Sequence, residues 1–193
     1  MTAASNKERA LPIIAAAAVE AEERTGFPAE VLLAQCALES GWLSSAPGNN
    51  SFGIKFVPGR HRNKQLLRTR EWFTREDLRA WLAHSPGRSV ISEQPQADER
   101  GRRLYVVMDW FAAYDSLADA CADYVRLLTR GRYEPAWRRY QQTRDWRRLI
   151  QDIADAGYAT APNYAQRVMS VLDDRAVQAL EAARAARRMG GSP

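Results

Sequence analysis

Glu39 and Glu71 are the two residues of this chain whose surroundings suit acid–base chemistry. Cleaving a glycosidic bond usually takes two carboxyl groups. One protonates the leaving oxygen, and the other activates water or stabilises an oxocarbenium-like transition state. Glu39 lies in Ala37-Leu38-Glu39-Ser40-Gly41-Trp42, at the end of an otherwise apolar helical pattern. Leu32, Cys36 and Glu39 fall at i, i+4 and i+7 and so share one stripe, which should face protein rather than water. A carboxyl in such a setting has its charged form disfavoured, which suits a general acid at neutral pH. Gly41 should stop the helix, and Trp42 can wall the carboxyl against solvent. A helix C-terminus prefers cations, so an acid there asks for a reason. The bland alternative is a surface glutamate paired to an arginine. For the second role Glu71, on Thr69-Arg70-Glu71-Trp72, is the best-placed acid; its bland alternative is a strand charge balanced by Arg68 or Arg70.

Several elements must position these groups. Helix periodicity covers about 11–25 and 29–40, separated by Gly26-Phe27-Pro28. Residues 44–50 are loop, 52–56 a short apolar element, and 59–64 a basic loop. Alternation over 66–73 predicts a strand with Leu67, Thr69, Glu71 and Phe73 on one face. Thr74 caps a short helix to about 82, residues 89–92 fit a strand, and 93–102 are polar and expected to be mobile. A second clear strand spans 104–113. Helices follow at about 117–129, 133–142, 146–156 and 164–186. The expectation is a mainly α chain with a small β-lobe (α+β), forming one folding unit. Its parts are a flexible start at 1–9, a domain at 10–174 with its β-lobe at about 66–113, and a helix end and tail at 175–193.

The 193 residues suffice for one domain with a core, and the net charge of +5 favours an anionic partner: wall polymer, nucleic acid or membrane surface. The run Arg126, Arg130, Arg132, Arg138, Arg139, Arg144, Arg147 and Arg148 is interleaved with aromatics, but no nucleic-acid recognition motif accompanies it. It reads as a solvated face, and nucleic acid is not expected as a partner. Cys36 and Cys121 sit in helical patterns and read as buried thiols rather than a disulfide. With only His61 and His84 and no Cys/His cluster, neither a metal nor a cofactor is expected. Lys7, Arg9 and the apolar stretch 10–19 resemble a signal peptide, yet the period continues through Glu20, Glu22 and Glu23, so we read a helix. No stretch reaches the roughly 18 apolar residues of a membrane span.

Six blocks, in order over roughly 26–172, resemble glycoside hydrolase family 73, the β-N-acetylglucosaminidases of bacterial autolysins, the flagellar rod-assembly protein and phage lysins. They are 26–35, then 37–42, then Asn49-Asn50-Ser51-Phe52-Gly53-Ile54-Lys55, similar to Asn-Leu-Phe-Gly-Ile-Lys. Next come Thr69-Arg70-Glu71-Trp72, similar to Thr-x-Glu-Tyr, and Phe111 to Ser116, similar to Phe-Arg-x-Tyr-x-Ser. The last is Gly157 to Ala165, similar to Gly-Tyr-Ala-Thr-Asp-Pro-x-Tyr-Ala.

The resemblance implies a lysozyme-like fold, with a helical lobe and a β-lobe flanking a sugar-binding groove. It implies Glu39 as general acid and Glu71 as second carboxylate, with Asn50 and Phe52 near the cleft, Tyr164 contacting sugar and Tyr158 in the same loop. Trp42 is read from its position as a further substrate-binding residue, the alternative for Trp42 and Phe52 being core packing. The expected activity is hydrolysis of the peptidoglycan β-1,4 bond between N-acetylglucosamine and N-acetylmuramic acid. A muramidase or lytic transglycosylase on the same fold, or an inactive wall-binding module, are the alternatives. A retaining route needs carboxyls about 5 Å apart and an inverting one about 6.5–9.5 Å. Two departures stand out. An insert at about 74–103 makes Glu76, Asp77, Glu93 and Glu99 fallback second acids, and Ala161 replaces the usual Asp. The expected partner is the peptidoglycan glycan strand, engaged by a monomer without membrane insertion. Lacking a clear signal peptide, the chain is expected to be made in the cytoplasm. It would reach the periplasm or wall through a secretion system or phage lysis, with an immunity protein or holin machinery as associated partners.

Overall fold

The computed structural model describes residues 4–159 and 163–190. The chain expected as one folding unit divides into two compact units: a helical unit, formed by the residues up to Phe52 and from Tyr114 onward, and a β unit, Gly53–Ala113. The mainly helical α+β class is as expected.

Helix α1 (Asn6–Thr25) begins earlier than its apolar pattern does. Ser5 and Glu8 form a reciprocal capping box that satisfies two orphan donors of the first turn, so residues 6–9 are helix rather than loose chain. Gly26, at φ +73°, ends it in the left-handed conformation and turns the chain into α2 (Ala29–Glu39). Helix α2 is apolar all round, and Ala29 and Val31–Ala37 are buried, so it is the central helix of this unit. Leu32, Leu33 and Val31 are fully buried; each such side chain contributes about 1.5–3 kcal/mol. Helix α1 packs on α2, and also on α4 (Leu117–Leu128) and α8 (Asp174–Gly190). Between α4 and α8 come α5 (Glu134–Thr143), α6 (Trp146–Asp155) and α7 (Tyr164–Val171).

One long final helix was expected from 164; the structure breaks it after Val171. Asp173 accepts a hydrogen bond from the Ala176 N–H at 3.0 Å and pairs with Lys7 at 2.7 Å, so it starts a new helix rather than continuing the old one. The arginine-rich run is a solvated face as expected, with all eight arginines exposed; three of them meet acids, Arg138 with Glu134 and Arg139 and Arg148 with Asp152.

The β unit holds β1 (Asn63–Phe73), α3 (Arg75–Ala83), β2 (Ser89–Ala97) and β3 (Arg103–Ala113), with antiparallel sheet order β1-β3-β2. The insert therefore has definite structure. It supplies α3, capped by Thr74, and the third strand, so 93–97 are strand rather than mobile chain. Asp98 then binds the backbone N–H groups of Arg100 and Arg102, closing the turn into β3. The register Leu67↔Asp109, Glu71↔Tyr105 and Phe73↔Arg103 puts the odd-numbered residues of β1 and β3 on one sheet face. The even-numbered residues, Lys64, Leu66, Arg68, Arg70 and Trp72 opposite Ala112, Trp110, Met108, Val106 and Leu104, lie on the other.

Candidate active site

Helix α2 stops abruptly after Glu39. Gly41, Trp42 and Leu43 all take left-handed backbone angles, φ +57°, +57° and +60°. For a non-glycine residue that conformation costs roughly 1–2 kcal/mol, so the turn must be held from outside. Ser40 holds it. Its hydroxyl donates to the Cys36 carbonyl at 2.6 Å and accepts from the Leu43 N–H at 2.9 Å, while the Trp42 N–H reaches the Ala37 carbonyl at 2.8 Å. Glu39 thus leaves the buried helix at a fixed point.

The stripe through Leu32 and Cys36 is buried as expected, and Glu39 is where it emerges to solvent. Desolvation raises the Glu39 carboxyl above the ordinary glutamate value; the Tyr158 hydroxyl and the charge of Arg167 pull it back without cancelling the rise. The Tyr158 hydroxyl lies 3.4 Å from Oε1. This places Tyr158 against the acid, where Trp42 was expected to be. The half-buried Trp42 ring instead carries the Lys7 ammonium 5.1 Å from its centroid.

A tyrosine cluster stands behind Glu39. The Tyr124 hydroxyl donates to that of Tyr158, and Phe52 stacks flat on Tyr124 at 3.9 Å. The Tyr164 ring packs 5.1 Å from Tyr158, and its hydroxyl accepts from Gln35 Nε2 at 2.8 Å. Burial pushes the phenols of Tyr124, Tyr158 and Tyr164 well above the ordinary tyrosine value, so all three stay neutral hydrogen-bonding groups. Gln35 sits one turn before Glu39 and is fully buried; its Oε1 has no partner among the described residues. Of the expected substrate-binding residues, Tyr158 and Phe52 are partly accessible, whereas Tyr164 and Asn50 are buried. Ala161, the departure from the family's loop, lies outside the described residues.

In the β unit, Glu71 is balanced by Lys55 rather than by Arg68 or Arg70, because strand alternation turns both arginines to the opposite face. Lys55 Nζ bridges Glu71 Oε1 at 2.6 Å and Asp109 Oδ2 at 2.7 Å, and Arg88 Nε, from the insert, meets Asp109 Oδ1 at 2.7 Å. Burial works to raise Asp109, but Lys55 and Arg88 outweigh it and hold its carboxyl below the usual aspartate value. Among the fallback acids, Asp77 is engaged with the Thr74 cap and Glu93 pairs with Arg103, while Glu76 and Glu99 are exposed.

Sequence reading missed Gln35, Tyr124, Asp109 and Arg88. Gln35 and Tyr124 were within reach of helical spacing, at i−4 from Glu39 and on the buried stripe of α4. The pairing of Asp109 and Arg88 needed the register and the path of the insert.

Cys36 and Cys121 are free and buried. Their thiols interact, with Cys36 drawn down by a hydrogen bond from Cys121 and Cys121 pushed well up. Among the described residues no acidic or Cys/His group could hold a metal, and no helix is long and apolar enough to cross a membrane.

The mainly helical α+β fold with its small antiparallel sheet is shared with solved bacterial wall hydrolases. The catalytic domain of the autolysin Auto from Listeria monocytogenes superimposes with TM-score 0.63 at 18% identity, over 93% of this chain and 90% of that one. A glycoside hydrolase domain of FlgJ from Salmonella typhimurium gives TM-score 0.58 at 27% identity, over 92% and 99%. The chain belongs to the glucosaminidase family, described as mannosyl-glycoprotein endo-beta-N-acetylglucosaminidase, whose model matches residues 15–176. That bears out the family resemblance read from the six blocks. The peptidoglycan hydrolase FlgJ of Vibrio parahaemolyticus is 31% identical over 161 residues, covering 80% of this chain and 42% of the relative. The chain spans about two fifths of the length of the curated relatives it matches.

Proposed function

We propose that the chain is a peptidoglycan hydrolase that cuts the β-1,4 bond between N-acetylglucosamine and N-acetylmuramic acid, with Glu39 as general acid. One observation carries this: a carboxyl raised by desolvation at the end of a buried helix, touched by a neutral phenol rather than locked in an ion pair. Protonated Glu39 gives its proton to the glycosidic oxygen as the bond breaks. The Tyr158 hydroxyl can then donate to the carboxylate left behind. Glu71 is the second carboxylate, steered through Oε1 by Lys55, and it takes the proton of the attacking water. Trp42, Phe52 and Tyr158 offer surfaces to the sugar. Tyr164, buried between Gln35 and Tyr158, supports the site from behind. The chain acts in the periplasm or cell wall.

A second reading, a lytic transglycosylase-like route using Glu39 alone, is favoured by the engagement of Glu71 with Lys55 and Thr69. Mass spectrometry of the products from purified peptidoglycan separates the two. New reducing ends on N-acetylglucosamine support the hydrolase, reducing muramic ends indicate a muramidase, and anhydro-muramic ends support the single-carboxylate route. Absence of any cleavage by the full chain overturns all three in favour of a wall-binding module.

A further inference from the structure

The net charge of the chain is not spread over it. Twelve of the 28 basic residues and seven of the 23 acidic ones lie in the β unit, 53–113, which therefore carries the whole +5; the remaining sixteen of each cancel in the helical unit. The helical unit as a whole is therefore neutral, although its arginine-rich stretch 126–148 holds eight arginines against Glu134 and Asp145 alone.

Within the β unit, strand alternation sorts the charges further. The odd-numbered sheet face holds Glu71, Asp109 and Glu93, each paired with a cation. The even-numbered face of β1 and β3 presents Lys64, Arg68 and Arg70 and no acid, and the β2 residues registered against it are Ser89 and Ser92. Lys64, Arg68 and Arg70 are exposed, as is Trp72 at the end of the row. Lys64 is held over the Trp110 ring at 3.9 Å, which restrains its ammonium before any ligand arrives.

We propose that this face is a second binding site, distinct from the Glu39 site, for a phosphodiester-linked anionic wall polymer of the teichoic-acid class. The proposal rests on the hydrolase reading for its location in the wall. Same-face residues on a strand repeat every ~6.8 Å, so Arg68 and Arg70 form a closely spaced pair with Lys64 about two repeats further on. A polymer with a fixed charge on every short repeat can meet successive cations on such a row. Peptidoglycan carboxylates sit on peptide branches rather than in the backbone itself, so they do not form a fixed linear row of charge. Guanidinium groups match phosphate oxygens in bidentate geometry, and Trp72 offers an apolar plate to the polyol or sugar between phosphates. Retention on this polymer would keep the enzyme on the wall by linkage of two sites without altering the chemistry at Glu39.

The test uses the full chain carrying Glu39→Gln, so that binding is measured without cleavage. Labelled poly(glycerol phosphate) teichoic acid is titrated over a salt series, with a single-stranded DNA of matched charge in a parallel arm. The wall polymer is expected to bind more tightly than the DNA, with affinity falling as salt rises. Arg68→Glu/Arg70→Glu should weaken it at least about 30-fold. The same variant should flatten the log–log salt slope by about 1.4. Arg68→Gln/Arg70→Gln should give an intermediate loss, which guards against misfolding of the charge-reversed protein. Arg126→Glu/Arg130→Glu, an equal charge change in the helical unit, should stay within about two-fold if patch position rather than net charge sets binding. No binding, equal losses from both pairs, or tighter binding of the DNA each overturns the proposal. Release of reducing ends by the wild-type chain from polymer-free peptidoglycan reports on the hydrolase reading separately.

Discussion

Replacing Tyr158 by phenylalanine removes one oxygen from two hydrogen bonds, and the consequences differ at each end. Toward the core, the Tyr124 hydroxyl loses its acceptor. Tyr124 is only 2% exposed, so water cannot substitute freely, and an orphaned buried hydroxyl costs about 1–3 kcal/mol. At about 2–4 °C per kcal/mol for a chain of this size, the thermal midpoint should fall by roughly 2–12 °C. Removing both partners is far cheaper than removing one, so Tyr124→Phe/Tyr158→Phe should recover most of the loss. A urea double-mutant cycle should therefore show strong non-additivity. Toward solvent, Glu39 loses the donor that lowers its pKa. The limb of the pH profile on which the acid deprotonates should move to higher pH, because the hydrogen bond had favoured the charged form. Stability equal to wild type, together with additivity within about 0.5 kcal/mol, would refute the claim that Tyr124 depends on Tyr158.

Lys55→Met leaves Glu71 and Asp109 on one sheet face with Arg88 alone to compensate them. Breaking a buried pair costs about 3–5 kcal/mol, but the half-open Lys55 and Glu71 are screened, so a loss of about 1–3 kcal/mol is expected in denaturant unfolding. Because the Asp109 carboxyl is held low, its stabilisation is present above about pH 4, the unfolded value, and fades as pH falls through the lower folded one. The variant and wild type should therefore converge in stability in acid; a penalty independent of pH would contradict the pairing. Gly41→Ala must adopt φ +57° and bring a Cβ within 2.7 Å of Ser44 Oγ. A stability loss of at least about 1–2 kcal/mol is expected, with reduced activity because Glu39 is carried by the same turn; an unchanged melting temperature would contradict it.

Much of this arrangement is legible in the sequence, because it follows from local rules. The 3.6-residue stripe ending at Glu39, the Thr74 cap and the alternation that places Glu71 opposite Arg68 and Arg70 all come from spacing alone. What spacing does not carry are partners distant in the chain. Tyr158 reaches Glu39 across 119 residues, a contact set by where the loop after α6 returns to α2. Lys55 meets Asp109 because the Lys55 backbone bridges Phe111 on β3. The break before α8 depended on a single Asp that caps a helix rather than sitting within one. The charge reading needed the division of the chain into units: the helical unit sums to zero only as a whole, since its stretch 126–148 holds eight arginines against two acids.

The most direct measurement compares wild type and Glu39→Gln for release of reducing ends from purified peptidoglycan, with folding followed by thermal denaturation. The amide should lower turnover by at least about 100-fold, the contribution of a general acid. It should also raise the neutral-pH melting temperature slightly: a carboxyl whose pKa is raised by desolvation destabilises the fold once ionised, and glutamine removes that cost. Near-normal turnover by a well-folded Glu39→Gln protein would contradict the assignment of Glu39 as the acid.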